Sequence, residues 1–229
     1  MRIPAFYHPD LDGDAVELSP AESHHLARVL RLKAGAAVRI LNGKGTVGYG
    51  TIEDAHPKRS RIRMQRYESR PPAVPALHLY TAPPQTTDRL HWLVEKATEL
   101  GCHSIHFLIT ERTVRHKVKL ERLEKTAIAA LKQSHNPFLP IIHAPLPMQQ
   151  TAVQQPAFYG DTAGRGWLEA APAAPQVLHW WIGPEGGFTP QEMEWLRAQA
   201  VAPIRLAPHT LRTETAAVAA LTAMRACYS

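Results

Sequence analysis

The chain has 229 residues, of which 45% are hydrophobic, so it can bury the core of one large domain or two smaller ones, which excludes a disordered or fibrous protein. No stretch approaches about 18 uninterrupted apolar residues and no signal peptide is evident, so we expect a soluble, cytoplasmic protein without a membrane partner. The formal net charge of +6 indicates a polyanionic partner, although many basic proteins bind none.

The two cysteines, Cys102 and Cys227, are far apart and have no metal-like spacing. This pattern predicts buried, reduced thiols and excludes a disulfide framework. The adjacent pair His24 and His25 would point about 100° apart on a helix, and no cluster of Cys, His or carboxylates accompanies it. We therefore expect no metal site.

The first third of the chain carries most of the positive charge, with 12 Lys and Arg against 8 Asp and Glu in residues 1–70. Ser19 and Glu22 have capping-box spacing, which predicts a helix that begins here and ends at Gly35. Residues 38–41 and 46–52 then form a predicted hairpin.

Residues 59–67 alternate with a period close to two and predict a further strand, which completes a compact barrel. Arg61 and Arg63 lie on one face of it. Such a face could follow the phosphates of a nucleic acid, or it could be a charged edge that resists aggregation. The sequence leaves both alternatives open.

The proline-rich stretch 69–75 interrupts every pattern and is the best domain boundary. We predict a first domain over 1–70, a linker over 71–76 and a second domain over 77–229. Strand and helix signals alternate in the second domain, which indicates a parallel sheet. Its segment 164–166 and the Ala/Pro-rich stretch 170–175 are predicted to be irregular.

A glycine-rich loop follows the apolar strand predicted over 177–182. Its glycines, at 183, 186 and 187, let a ligand approach the main chain closely. Thr189 and Glu192 then form a capping box, with Phe188 placed to pack on Met193. A short strand over 204–206 and a turn precede a second helix that opens at Leu211. Two strand-loop-helix units in succession predict that their loops lie side by side over one pocket. A third loop, which begins at Tyr159, is predicted to lie near it.

Several motifs resemble one family when they are taken together. They are Ile-Gly-Pro-Glu-Gly-Gly-Phe at 182–188, Leu-Arg-Thr-Glu-Thr-Ala at 211–216, and shorter pieces at 24–31, 95–101, 111–112, 133–134 and 139–140. This pattern resembles the ribosomal RNA uracil-N3 methyltransferase family of the SPOUT class. Three positions depart from it: Ala207, where glycine is usual, and His209 and Asn136, where arginine is usual or common. These departures concern RNA contacts more than cofactor binding.

The resemblance implies an α/β fold in which a SPOUT-type parallel sheet with a trefoil knot follows a PUA-like β-barrel. It implies S-adenosyl-L-methionine as cofactor, small-subunit (16S) ribosomal RNA as substrate and a homodimer. The expected cofactor-binding residues are Tyr159, Gly183, Pro184, Gly186, Gly187, Leu206, Ala207 and Leu211. The expected catalytic residues are Arg212, Glu185 and Glu214. The expected RNA-binding residues are His25, Arg28, Arg31, Arg61 and Arg63.

Two other functions stay open on the sequence. A SPOUT ribose 2'-O-methyltransferase would use the same cofactor site, although the amino-terminal barrel and the motif at 211–216 argue against it. The chain could also be a non-catalytic RNA-binding module that has lost its cofactor. The three departures from the family pattern keep this alternative open.

Overall fold

The computed structural model describes residues 3–228 and divides the chain into two compact units. The first unit contains the chain up to Pro72 together with Ile128–Leu139. The second contains Ala73–Ala127 and the chain from Pro140 onward. The sequence analysis placed residues 128–139 in the second domain, whereas in the structure they belong to the first unit.

The first unit is a five-stranded sheet with a small apolar core. The strands in spatial order are β1 (Ala5–Tyr7), β3 (Ala37–Leu41), β4 (Thr46–Asp54), β5 (Arg61–Ser69) and β2 (Ala15–Glu17). β1 and β3 are parallel and the other neighbours are antiparallel. Phe6, Leu26, Ile40 and Ile62 are fully buried in its core. The predicted hairpin is confirmed as β3 and β4, whereas β2 was not predicted.

The first helix differs from the prediction in two respects. α1 (Pro20–His24) begins at Ser19, whose hydroxyl accepts the Glu22 amide N–H. Glu22 does not close the capping box, because its carboxylate accepts the Tyr7 amide N–H at 3.0 Å and pairs with Lys132 at 2.6 Å. A π-helical turn follows α1 and ends at Val29, and Arg31 then adopts a φ of 53°, so the helix stops before Gly35.

Residues 128–139 pack on the same sheet. They form the end of α3 (Leu120–Ser134) and the segment behind it. Leu131 is fully buried in one apolar cluster with Leu41 and Val47. The Leu139 amide N–H donates to the Gly43 carbonyl at 2.9 Å. The end of this helix therefore completes the core of the first unit.

The second unit is a six-stranded sheet whose paired neighbours are all parallel. The strands in spatial order are β11 (Ala202–Arg205), β9 (Ala157–Gly166), β10 (Val177–Ile182), β6 (Ala76–Thr81), β7 (Ser104–Ile109) and β8 (Ile141–Pro147). The other helices are α2 (Thr87–Glu99), α4 (Trp167–Ala170), α5 (Pro190–Ala198) and α6 (Thr213–Tyr228). α6 packs on α2, β6 and β10. The predicted strand over 177–182 is confirmed as β10, a central strand that is buried on both faces.

Residues 164–166 correct the sequence analysis, which predicted an irregular connection. They are the end of β9, where Arg165 and Gly166 pair with Ile204 and Arg205 of β11. A Cβ atom on Gly164 would lie 2.6 Å from the Ile204 amide nitrogen, so the close approach of these strands requires glycine here. The prediction was wrong because, in the sequence alone, a glycine required for close packing of strands cannot be distinguished from a glycine in a turn.

The two cysteines have different surroundings. Cys102 is buried as predicted, and its burial raises the pKa of its thiol to about 12. Cys227 is exposed, so the prediction of a buried thiol was wrong there: it lies in the last turns of α6. Within residues 3–228 we find no helix with the length and apolar character needed to cross a bilayer.

Candidate functional site

A cleft lies over the carboxyl ends of β10 and β11, beside residues 160–162 in the middle of β9, and has an empty volume of about 640 Å³, including its open mouth. Residues from β9, from the loops after β10 and β11 and from the start of α6 line it. They are residues 160–162, 182–185, 187–188, 206–207, 209–211, 213 and 216. Crevices at the carboxyl ends of parallel strands are the usual ligand sites of open α/β sheets. The predicted pocket between neighbouring loops is therefore present.

The glycine loop forms one wall of the cleft in a tight backbone turn. The Gly187 amide N–H donates to the Pro184 carbonyl at 2.8 Å, and Gly187 has a φ of 70°, which favours glycine. A Cβ atom on Gly183 would lie 3.1 Å from the Phe188 amide nitrogen. Thr213 donates from its hydroxyl to the Gly183 carbonyl at 3.0 Å. These contacts keep the loop compact and leave its main chain open to the cleft.

The capping box predicted at the start of α5 is confirmed. The Thr189 hydroxyl accepts the Glu192 amide N–H at 3.3 Å, and the Glu192 carboxylate accepts the Thr189 amide N–H at 2.8 Å. The other Glu192 carboxylate oxygen accepts the Glu111 amide N–H at 2.8 Å. Phe188 and Met193 lie in one apolar cluster. The glycine loop is thus held at its far end by buried contacts.

Three acidic side chains near the cleft have different surroundings. Glu185 lines the cleft and is exposed, and its carboxylate accepts the Gln85 amide N–H at 3.0 Å. Asp161 also lines the cleft, and its carboxylate accepts the Ala163 amide N–H. Glu214 is buried, and its carboxylate lies 3.5 Å from Nε of Arg89 on α2. Only the first two therefore face a ligand in the cleft.

The predicted cofactor residues fall into two groups. Those that line the cleft are Gly183, Pro184, Gly187, Leu206, Ala207 and Leu211. Tyr159 instead lies in the apolar core, and the three residues after it reach the cleft. Gly186 is not among the lining residues, and its carbonyl accepts a hydrogen bond from Arg112. Of the three departures from the family pattern, Ala207 and His209 line the cleft itself.

Arg212 is exposed and stands between two lining residues, Leu211 and Thr213. Among residues 3–228, its guanidinium has no ion pair and no hydrogen bond. The two carboxylates that could have paired with it are engaged elsewhere, Glu185 with Gln85 and Glu214 with Arg89. The guanidinium is therefore available to a ligand.

The predicted RNA-binding residues all lie in the first unit. Arg61 and Arg63 are exposed and both pair with Glu53, at 3.0 and 2.6 Å, and the hydrogen bond from Arg63 lowers the pKa of Glu53. Arg28 and Arg31 are exposed as well. His25 is half-buried and packs edge-on against Phe6, with ring centroids 6.2 Å apart.

The sequence analysis did not name Thr162 or Arg89. Thr162 lines the cleft, and Arg89 pairs with Glu214. Thr162 directly follows the predicted third loop, so its position along the chain was a usable signal. Arg89 had no such signal, because its partner is far away in the sequence. Across the described part of the chain, no group of three or more His, Cys, Asp or Glu is placed to hold a metal ion.

The apolar and backbone groups of the cleft fit a nucleoside-containing cofactor. Ile182, Leu206 and Leu211 offer apolar contacts for a flat base, and the main chain of the glycine loop offers donors and acceptors. A Cβ atom on Gly183 would crowd this turn, so the loop needs a glycine there. The donor set suits S-adenosylmethionine, which has an adenine ring and a polar amino acid end.

Two sequence families match the chain. The RNA methyltransferase domain family matches residues 71–225, and the RNA methyltransferase PUA domain family matches residues 18–65. Proteins named Ribosomal RNA small subunit methyltransferase E are similar over nearly the whole chain. The one from Bacillus subtilis is 26% identical over 95% of this chain and 94% of its own length. The one from Rickettsia conorii is 29% identical over 93% of this chain and 91% of its own length.

Solved structures agree with these matches. A probable rRNA-methyltransferase from Porphyromonas gingivalis has a TM-score of 0.89 and 32% identity, covering 99% of this chain and 100% of that one. A methyltransferase from Legionella pneumophila, in complex with the bound cofactor SAM, has a TM-score of 0.90 and 28% identity, covering 99% and 98%. The predicted fold class, a SPOUT-type parallel α/β sheet preceded by a PUA-like domain, is confirmed.

Proposed function

The chain belongs to the RNA methyltransferase family, and we propose that it transfers a methyl group from S-adenosylmethionine to N3 of a uridine in small-subunit ribosomal RNA. The observation that carries this proposal is the cleft over β9, β10 and β11, where the glycine loop and the loop before α6 form the walls. The relatives named for small-subunit ribosomal RNA supply the substrate class. The uracil N3 position is implied by the resemblance of the motifs at 182–188 and 211–216 to the uracil-N3 methyltransferase family.

The main chain of residues 183–187 and the side chains of Leu206 and Leu211 would hold the cofactor. When bound, S-adenosylmethionine supplies an electrophilic methyl group on a sulfonium. The uracil N3 forms the new bond to carbon as the sulfonium bond breaks, and the N3 proton must leave. The walls of the cleft therefore act mainly by orientation, because holding two reactants at near-attack distance removes much of the barrier.

In the proposed mechanism the exposed guanidinium of Arg212 stabilises the negative charge that develops on the uracil oxygens. Glu185 is the better candidate to accept the N3 proton, because its carboxylate lines the cleft. Glu214 is buried against Arg89, and its position favours a structural role. In this arrangement Arg212 and Glu185 act on the substrate, while Glu214 supports α6, which begins directly after Arg212.

We also propose a cytoplasmic homodimer, as the SPOUT resemblance implies. Light scattering of the purified protein should then give about twice the 25.4 kDa chain mass. An active monomer would contradict this part of the proposal and would leave the methyl transfer itself standing.

Two measurements test the proposed activity. The purified protein is incubated with S-adenosylmethionine and small-subunit ribosomal RNA from a strain that lacks it, and the nucleosides are analysed by mass spectrometry. We expect 3-methyluridine. A product methylated on the ribose 2'-oxygen would instead support the alternative SPOUT activity.

The second measurement addresses the non-catalytic alternative. S-adenosylmethionine at about 100 times its dissociation constant should stabilise the fold by roughly 2.7 kcal/mol, which a thermal shift detects. If neither the cofactor nor its demethylated product shifted the unfolding temperature, the protein would be an RNA-binding module without methyltransferase activity.

A further inference from the structure

The loop that follows β7, residues 110–119, lies at the same edge of the sheet as the cleft, and we call it the cation loop. Its start is rigid, because the Thr110 amide N–H donates to the Thr113 hydroxyl at 2.9 Å and the Thr113 amide N–H donates to the Thr110 carbonyl at 3.2 Å. Both threonines are buried. The side chain of Val114, in contrast, is 65% exposed. A rigid base thus presents an exposed apolar side chain.

One contact joins the cation loop to α5 and a second joins it to the glycine loop. The Glu111 amide N–H donates to the buried Glu192 carboxylate at 2.8 Å, and the Arg112 guanidinium donates to the Gly186 carbonyl at 2.6 Å. Arg115 joins it to the loop after β6, with hydrogen bonds to the Pro84 and Gln85 carbonyls. The cation loop is therefore fixed beside a wall of the cleft.

The positive charge of this loop is not compensated. Lys117 and Lys119 are exposed and form no ion pair within residues 3–228. Arg112 donates to a carbonyl, and Arg115 to carbonyls and a hydroxyl, so neither meets a carboxylate. One acidic residue, Glu111, stands among these four cations.

β5 of the first unit shows the opposite arrangement. Arg61 and Arg63 share the Glu53 carboxylate, and Arg66 and Arg70 both pair with Glu68. These four arginines, on or next to the strand for which a phosphate track was one of two predicted roles, therefore share two carboxylates, which neutralise half of their charge. The cation loop carries the free positive charge that a polyanion needs.

Helix stability does not explain these lysines. Lys119 accepts the first hydrogen bonds of α3 through its carbonyl, from the Arg122 and Leu123 amides. Lys117 and Lys119 therefore stand at the positive end of the helix dipole, where cations are unfavourable. Some other interaction must favour positive charge at this place.

We propose that the cation loop binds the backbone phosphates of the substrate RNA beside the cleft, a proposal that rests on the RNA methyltransferase function proposed above. Lys117 and Lys119 contact phosphates, and Val114 packs against a ribose or the face of a base. Arg112 and Arg115 are positioning residues, which hold the loop against the walls of the cleft. The RNA strand is thereby held on the second unit at the place where the target base enters.

The test compares the double variant Lys117→Gln/Lys119→Gln with Lys125→Gln. Lys125 is an exposed lysine of α3 that pairs with Glu121 at 2.6 Å, so its variant shows the effect of removing one lysine charge outside the loop. Binding of a small-subunit ribosomal RNA fragment is measured by fluorescence anisotropy between 50 and 200 mM salt, about the range in which phosphate contacts are sensitive. KM and kcat for methyl transfer are measured with the same RNA.

We expect the double variant to bind RNA on the order of 10-fold more weakly at low salt. Its slope of log affinity against log salt should be flatter by roughly 0.7 to 0.9 for each lost contact. KM should rise with kcat retained, and the thermal shift with S-adenosylmethionine should match the parent. Lys125→Gln should behave like the parent.

The proposal is wrong if the double variant and Lys125→Gln have the same affinity and the same salt slope. An acidic protein as the partner of this loop would give that result. A loss of affinity that did not depend on salt would also overturn it. Binding is measured without catalysis, so a parent protein that bound RNA but transferred no methyl group would refute the proposed function and leave the proposed contact testable.

Discussion

The Arg89 guanidinium on α2 pairs with the buried Glu214 carboxylate on α6, with 3.5 Å between Nε and Oε1. The Glu214 side chain is 8% exposed, and its second carboxylate oxygen has no hydrogen-bond partner among residues 3–228. The pair joins the two helices that pack on one another in the second unit.

The first prediction is that Glu214 stabilises the fold. Glu214→Gln removes a buried charge-assisted contact and should lower the free energy of unfolding by about 1 to 3 kcal/mol. Arg89→Ala should cost at least as much, since it leaves a buried carboxylate unpaired. Chemical denaturation measures both, with Glu121→Gln on the exposed pair of α3 as control. A folded Glu214→Gln variant that had lost methyl transfer and kept its stability would make Glu214 the base.

The second prediction concerns Arg212. Its guanidinium is exposed and stands at the start of α6, where it opposes the helix dipole. Arg212→Ala should therefore leave folding and cofactor binding nearly intact and lower the rate of methyl transfer by on the order of 100-fold or more. Arg212→Lys should recover only part of the rate, because an ammonium lacks the planar fork of donors.

The matched control for Arg212 is Arg197→Ala, an exposed arginine of α5 that pairs with Glu194. Single-turnover kinetics with saturating RNA measure the rate, and thermal shift measures cofactor binding. A near-parent rate for Arg212→Ala would show that the charge on uracil is stabilised by another group. Unfolding of the variant would give Arg212 a structural role.

The third prediction separates the two explanations of the basic strand β5. If Arg61 and Arg63 contact RNA, then Arg61→Gln/Arg63→Gln should flatten the salt slope of RNA binding by roughly 0.7 to 0.9 for each contact, with cofactor binding unchanged. Glu53→Gln should act in the opposite direction and tighten RNA binding, because the Glu53 carboxylate pairs with both arginines and offsets part of their charge. If neither variant changed RNA affinity, the strand would be a charged edge that faces solvent.

Short-range signals predicted much of the fold. The box formed by Thr189 and Glu192 is present because its partners are three residues apart and Glu192 is buried beside Thr189. The same spacing at Ser19 gave only half a box, because the Glu22 carboxylate pairs with Lys132, 110 residues away. A partner so far away in the sequence cannot be seen in a local pattern. The pattern therefore predicted the start of the helix correctly and the bond from Glu22 incorrectly.

The cleft was predictable for a similar reason. Gly183, Leu206 and Leu211 follow parallel strands, whose carboxyl ends share one edge of the sheet. The bond from Arg112 to the Gly186 carbonyl joins residues 74 positions apart and was not predictable from periodicity. The Tyr159 side chain lies in the apolar core and Gly160 lines the cleft, because side chains alternate along a strand.

The fourth prediction uses the two cysteines. Cys227 is exposed, and Cys102 is buried with the pKa of its thiol raised to about 12. Since the thiolate is the reactive form, a disulfide reagent should modify one thiol rapidly in the native protein at pH 8 and the second only on unfolding. Cys227→Ser should abolish the rapid reaction. A rapid reaction that survived in Cys227→Ser would mean that the native fold opens around Cys102.

The last prediction is a loss of stability in acid, caused by a row of histidines on one face of the parallel sheet. His78 stacks on His179 with ring centroids 4.8 Å apart, and His106 stacks on His143 at 4.1 Å. The Ser104 hydroxyl lies between Nδ1 of His78 and Nε2 of His106, at 2.6 and 2.7 Å. His103 lies 5.0 Å from His78, and Tyr80 stacks on His106. Protonation would place several positive charges side by side.

Burial, followed by the neighbouring imidazoles, lowers the pKa of His78 from 6.5 to about 4 and that of His106 to about 3. Burial also lowers the pKa of His179. The unfolded chain therefore binds more protons than the native one below pH 6.5, so the stabilising effect of the neutral imidazoles is complete above that pH and is lost as the pH falls toward 4. Each of these histidines should reduce the free energy of unfolding by up to about 1.4 kcal/mol per pH unit in that window.

Urea denaturation at a series of pH values between 7 and 4 measures this slope. His106→Asn removes one member of the row and should flatten the slope, whatever it does to stability at pH 7. His24→Asn, an exposed histidine of the first unit, is the control and should keep the parent slope. A stability that stayed constant from pH 7 to 5, or an unchanged slope in His106→Asn, would show that the row does not hold its histidines neutral.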